Sequence, residues 1–230
     1  MNLKIETQSK KADDSGVSRE RGASRLSEVD ALLWRIKARL ENKCDQGQII
    51  AMTSCYRGTG ISTLLANLAV LAAENHVGPV LMVDANMSAP SQHRIFRHIT
   101  TTGLVDVMIG NVPPNEAIFP TSVESLDIMP SGSPSHLHSA RVISENCEEM
   151  FRWARERYAM ILIDLPQIDD LRHGLMIARQ ADMALVSVRS DFVSRTSAVQ
   201  SVQRLICDGV KVAGTILSRQ MIFTPKLLRN

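Results

Sequence analysis

The residues Thr53-Ser54-Cys55-Tyr56-Arg57-Gly58-Thr59-Gly60-Ile61-Ser62-Thr63 have the types and spacing to hold a phosphate. Gly58 and Gly60 let the backbone turn so that successive N–H groups point inward around an anion. A helical run from Ser62 would add the positive end of its dipole. Ser62 stands where a hydroxyl would hold Mg²⁺, and Thr63 is within reach of an α-phosphate. The candidate cofactor-binding set is therefore Gly58, Thr59, Gly60, Ile61, Ser62 and Thr63. One group is missing. Where such loops place a lysine against the terminal phosphates, this chain has Ile61, expected to set a branched apolar side chain beside those phosphates, so ATP or ADP with Mg²⁺ is expected to bind weakly or not at all.

Two carboxylates follow at the ends of apolar runs. In Val80-Leu81-Met82-Val83-Asp84, Asp84 can hold Mg²⁺ through water, accept a proton, or cap the loop that follows. In Met160-Ile161-Leu162-Ile163-Asp164, Asp164 has the setting of a Walker B aspartate. Asp84 and Asp164 are the candidate catalytic residues, and Ser62, Asp84 and Asp164 the candidate Mg²⁺ set. His93, His98, His136 and His138 have no matching Cys or acidic set and are not expected to bind metal. Cys55 is expected to fill a small-residue position in the loop.

Short apolar runs alternating with helical stretches position these groups. Strands are expected at Gln48–Ser54, Pro79–Asp84, Ser125–Met129, Met160–Asp164, Met183–Val188 and Val210–Leu217. Helices are expected at Ser62–Glu74, Ser144–Arg157, Leu171–Arg179 and Arg195–Asp208. Most of the strand runs are continuously apolar, as in strands buried on both faces. The fold class is α/β, with a mostly parallel central sheet and helices on both faces. Ligands in such sheets sit at the carboxyl ends of the strands, where the loop, Asp84 and Asp164 all fall. Upstream, Leu26, Val29, Leu32, Leu33, Ile36 and Leu40 recur at helical spacing, giving a helix over 26–42 with Ser27 as its cap. Residues 1–24 read as a disordered tail, 25–220 as one domain and 221–230 as a second tail.

The bulk numbers are consistent with that organisation. The chain has 230 residues, 44% apolar and 22% charged, with a net charge of +2. That charge is too small to argue for nucleic acid or for a membrane surface. No run approaches the ~18–20 apolar residues that span a bilayer. Four cysteines without paired spacing favour a reducing, cytoplasmic setting.

The ordered motifs resemble the cytoplasmic ATPase domain of the bacterial tyrosine kinases (BY-kinases) and their polysaccharide co-polymerase relatives. These are P-loop NTPase folds of the deviant type shared with division-site and partition proteins. The resemblance runs from about Ser27 to Arg219. Besides the three elements above, it includes Gly103-Leu104-Val105-Asp106-Val107-Met108-Ile109-Gly110 and Leu126-Asp127-Ile128-Met129-Pro130-Ser131-Gly132. It also takes in Ala181-Asp182-Met183-Ala184-Leu185-Val186-Ser187-Val188-Arg189 and Gly214-Thr215-Ile216-Leu217-Ser218-Arg219. Pro90 favours the kinase branch.

Against that pattern the chain has Ile61 for the loop lysine and Tyr56 for the second signature lysine. Asn86 stands for an aspartate, Ser88 for an arginine and Ser218 for an adenine-reading asparagine. The tail Thr224–Asn230 lacks the tyrosine cluster. Glu28, Ala31 and Trp34 fall where an oligomerising helix has glutamate and two arginines, and Trp34 is expected to pack on the sheet. Tyr158 is expected to be structural. Arg57 offers either a substitute cation or a solvent-facing loop residue.

The resemblance implies a catalytically impaired, BY-kinase-like regulator or adaptor in exopolysaccharide or capsule biosynthesis and export. It would be cytoplasmic and recruited to the inner membrane by a chain-length or co-polymerase partner. A homo-oligomer is open to it; nucleic acid binding and direct membrane insertion are not expected. Two alternatives remain: an active tyrosine kinase or ATPase with an atypical loop, and a partition-type spatial organiser.

Overall fold

The computed structural model describes residues 17–40, 46–98, 101–132, 140–171, 174–189 and 194–218. Cys44, His136, His138, residues 1–16 of the expected first tail and the whole of 221–230 lie outside them.

Among the described residues, seven strands form one sheet: β1 (Gln48–Ser54), β2 (Val80–Asp84), β3 (Phe119–Pro120), β4 (Leu126–Met129), β5 (Met160–Asp164), β6 (Met183–Arg189) and β7 (Val212–Ser218). Their order is β3-β4-β2-β5-β1-β6-β7. Every pairing is parallel except β3 with β4. The α/β expectation therefore holds. Strand β5 lies between β1 and β2, so the connection from β1 to β2 crosses over it, and the crevice at the carboxyl ends opens there.

The helices are α1 (Val17–Leu40), α2 (Ile61–Glu74), α3 (Gln92–Ile95), α4 (Leu104–Met108), α5 (Ala140–Arg155), α6 (Gly174–Arg179) and α7 (Arg195–Cys207). They cover both faces. Strand residues alternate between two apolar clusters, as the two-residue pleat requires. Ile49, Leu81, Val83, Ile161 and Ile163 pack with α4, α5, α6 and α7. Ile50, Met52, Val80, Met82 and Leu162 pack with α1 and α2. Each fully buried Leu or Ile in these layers contributes roughly 1.5–3 kcal/mol. Parity then places Asp84 and Asp164, each one residue past a side chain of the first cluster, on the α1/α2 face.

The differences from expectation are local. Helix α1 begins at Val17, inside the stretch read as a tail, and Ser27 lies within the helix instead of capping it. Arg19, Glu20, Arg21, Ala23 and Arg25 are good helix formers, and their charge hid the helix from an apolar-periodicity reading. Trp34 does not pack on the sheet. Val29, Leu33, Ile36 and Leu40 take the inner face of α1, and Trp34 is 63% exposed. It stands one residue, about 100°, round from Leu33. Lys37 Nζ lies 5.0 Å from its ring centre.

Strand β3 was not expected. It has two residues, one of them proline, which a sheet tolerates at the edge where β3 sits. Helices α3 and α4, of four and five residues, are too short to show a period. Helix α6 starts at Gly174, after a 3₁₀ turn at Ile168–Asp170. The two downstream motifs meet: Leu104 and Val105 donate backbone N–H bonds to the carbonyls of Pro130 and Ser131, at 2.8 and 3.0 Å.

Candidate nucleotide site

The loop after β1 is tied down from three sides. Thr53 Oγ1 donates to the Pro166 carbonyl at 2.6 Å. Ser54 Oγ donates to the Tyr56 carbonyl at 2.8 Å, and the Cys55 N–H to the Ser187 carbonyl at 3.1 Å. Cys55 is buried, and burial pushes its thiol above the ordinary range. Gly58 and Gly60 have φ of 73° and 79°, in the left-handed region that side chains avoid. A Cβ at either would meet nothing within 4 Å, so conformation, not space, requires glycine there. No side chain caps the start of α2 at Gly60. The loop borders a cleft of about 410 Å³, lined by all six candidate residues from Gly58 to Thr63. The structure thus brings the six candidate residues together on one cleft.

The carboxylates lie beneath the cleft and do not line it. Asp84 and Asp164 are direct register partners on β2 and β5, and both are 0% exposed. Asp84 Oδ1 accepts the N–H of Asn86 at 3.1 Å, and Oδ2 accepts those of Ser91 and Gln92 at 2.9 Å each. Those bonds make Asp84 a cap of the loop that follows, one of its three sequence readings. Burial still raises its pKa, with those three bonds opposing the shift.

Asp164 Oδ2 accepts from Gln92 Nε2 at 2.7 Å, while its Oδ1 is buried without a partner. Burial, followed by the charge of Asp84, raises the Asp164 pKa to about 7; bonds from Gln92 and Ser62 pull the other way. Gln92 is itself fully buried. It was not singled out, since an amide between a serine and a histidine in a four-residue helix carries no sequence signal. A divalent cation takes oxygen ligands, and the unpaired Asp164 oxygen beside Asp84 and Ser62 suits one. Asp84 retains lone pairs beyond its three N–H bonds.

Ile61 differs from its expected placing. It touches the cleft, but is 7% exposed and belongs to the apolar cluster built with α1. Its side chain is a core residue more than a wall beside the phosphates. Arg57 is 66% exposed and lines the cleft, its Nη2 2.6 Å from Asp170 Oδ2. That contact holds the Asp170 carboxyl below the usual carboxylate range. Arg94 also lines the cleft, and donates to the Pro90 carbonyl at 2.9 Å. Asp170 and Arg94 are rim residues that sequence reasoning missed. Tyr158 lies away from the cleft, its OH donating to Asp127 Oδ2 at 2.8 Å. Burial and that neighbouring acid raise its pKa, a structural setting as expected.

No family model matches the chain. It is 27% identical over 173 residues to the tyrosine-protein kinase wzc of Salmonella typhimurium, covering 75% of this chain and 24% of that protein. It is 27% identical over 177 residues to the tyrosine-protein kinase YwqD of Bacillus subtilis, covering 75% and 73%. Its homologues are bacterial tyrosine-protein kinases.

The chain spans about a quarter of the Salmonella kinase and about three quarters of the Bacillus one. The kinase domain of the Escherichia coli tyrosine kinase ETK superposes with a TM-score of 0.75 at 19% identity, over 87% of this chain and 79% of that one. The septum site-determining protein MinD of Pyrococcus horikoshii, complexed with Mg-ADP, superposes with a TM-score of 0.62 at 23% identity, over 79% and 75%. These likenesses show a P-loop NTPase fold. Among the described residues, no helix is long and apolar enough to cross a membrane.

Proposed function

We propose that this tyrosine-kinase homologue is a catalytically impaired regulator of exopolysaccharide or capsule export. It acts at the cytoplasmic face of the inner membrane through a chain-length or co-polymerase partner. The observation that carries this reading is Ile61. The lysine position of the loop holds an apolar side chain buried in the core, so no ammonium from that position reaches the terminal phosphates. Losing one such donor to a transition state costs about 10²–10³ in rate. Asn86 and Ser88, both on the cleft, withdraw a further acid and a further cation.

What is kept is the backbone cradle with Ser62, Asp84 and Asp164. That set supports weak binding of ATP or ADP with Mg²⁺, the ion supplying charge neutralisation when bound. Gly58–Thr63 would orient the phosphates, and Ser62 with the buried acids would hold the ion. Measuring ATP hydrolysis and tyrosine phosphorylation by the purified chain, with and without the co-polymerase, tests the proposal. Rates below those of an active tyrosine kinase by the stated factor are expected, and rates equal to it would end the reading.

One observation favours a second reading. Arg57 lies on the cleft and could supply the missing charge once released from Asp170. On that reading, Arg57→Ala would abolish turnover measured with the partner present.

A further inference from the structure

The two buried aspartates at the floor of the cleft are held by an internal group that no motif announces. Gln92 Nε2 donates to Asp164 Oδ2 at 2.7 Å and to the Ser62 carbonyl at 3.1 Å. The backbone N–H of the same residue donates to Asp84 Oδ2 at 2.9 Å. One fully buried residue thus connects the ends of β2 and β5 with the first turn of α2. Its amide carries the positive end of a dipole between two carboxylates that are register neighbours.

The arrangement is incomplete. Gln92 Oε1 and Asp164 Oδ1 are both buried without a partner. Buried polar atoms are seldom left so, and each such atom marks a place where a bonding group is lacking. Two acceptor oxygens thus lack a donor among the described residues, while the Gln92 amide is spent on the other oxygen of Asp164.

We propose that Gln92 is a built-in competitor for the divalent cation: through Oδ2, its carboxamide NH₂ takes up part of the charge of the Asp164 carboxylate that an ion would use. The chain therefore binds free Mg²⁺ or Mn²⁺ weakly. Gln92 is a positioning residue that sets the ion affinity of the floor. The inference rests on reading the cleft as a nucleotide site. Its readout, ion binding without nucleotide, is separate from turnover, so the two can fail independently.

The test is Mn²⁺ titration of the nucleotide-free chain, following the free ion by electron paramagnetic resonance. Gln92→Ala should bind Mn²⁺ about ten-fold more tightly than wild type, the worth of one hydrogen bond to a charged group. Gln92→Glu keeps the shape of the side chain and adds an oxygen ligand, so it should gain at least as much. It also serves if the alanine variant does not fold. Adding Asp164→Asn to either variant should remove the gain. Tight Mn²⁺ binding by wild type, equal affinities across wild type and both variants, or a gain that survives Asp164→Asn would each overturn the proposal.

Discussion

The two ends of the sheet both carry acids, and they treat them differently. At the amino ends, Asp182 is fully engaged. Arg155 meets both its oxygens, Nη1 at 2.7 Å and Nη2 at 3.0 Å, and the Ile49 N–H donates to Oδ2 at 2.8 Å. The same guanidinium donates to the Gly47 and Gln180 carbonyls at 2.7 and 3.1 Å. That cluster closes on itself and fixes the entry to β1. At the carboxyl ends, Asp84 and Asp164 are buried register neighbours, and one Asp164 oxygen has no partner among the described residues. A satisfied acid cluster serves the fold; an unsatisfied one is stability given up at a place that can do chemistry.

The sharpest way to break this contrast is at the closed end. Arg155→Ala should cost about 2–4 kcal/mol, since it strands a partly buried carboxylate and two carbonyls. Urea denaturation measures it, and a loss within experimental error would mean that the closed end is not structural. At the open end the sign should reverse with pH. Asp164 has an ordinary pKa of 3.8 and a folded value of about 7. Between those values the folded chain holds more protons than the unfolded one, so stability is greatest near pH 4 and falls as pH rises to 7. Denaturation midpoints from pH 4 to 8 should show that fall, about 4 kcal/mol in all. Asp164→Asn should flatten it.

Smaller effects sharpen the comparison. Tyr158→Phe leaves Asp127 without its phenol donor and should cost about 1 kcal/mol in the same assay. Arg57→Ala breaks only an exposed pair and should change stability by less than about 0.5 kcal/mol. It should nevertheless weaken polyphosphate binding, measured calorimetrically. A larger stability loss would make Arg57 a scaffold residue.

The middle of the sheet was legible because β1, β2 and β5 are buried on both faces and read as nearly unbroken apolar runs. β1 and β5 were placed to the residue, and the left-handed turns of the loop were readable from Gly58 and Gly60. Three things were not legible, each for a physical reason. The first turns of α1 are built from charged helix formers with no apolar stripe. Gln92 acts through distances across three elements that its neighbours in sequence do not encode. The inward turn of Ile61 follows from the docking of α2 on α1, so the loop sequence alone put that side chain beside the phosphates instead of in the core.

The account depends most on Ile61 denying the cleft a charge. Calorimetric titration of Mg²⁺-ATP into the native chain and into Ile61→Lys tests that directly. The account predicts weak or no binding by the native chain and about a ten-fold or greater gain in the lysine variant. Equally tight binding by both proteins would contradict it.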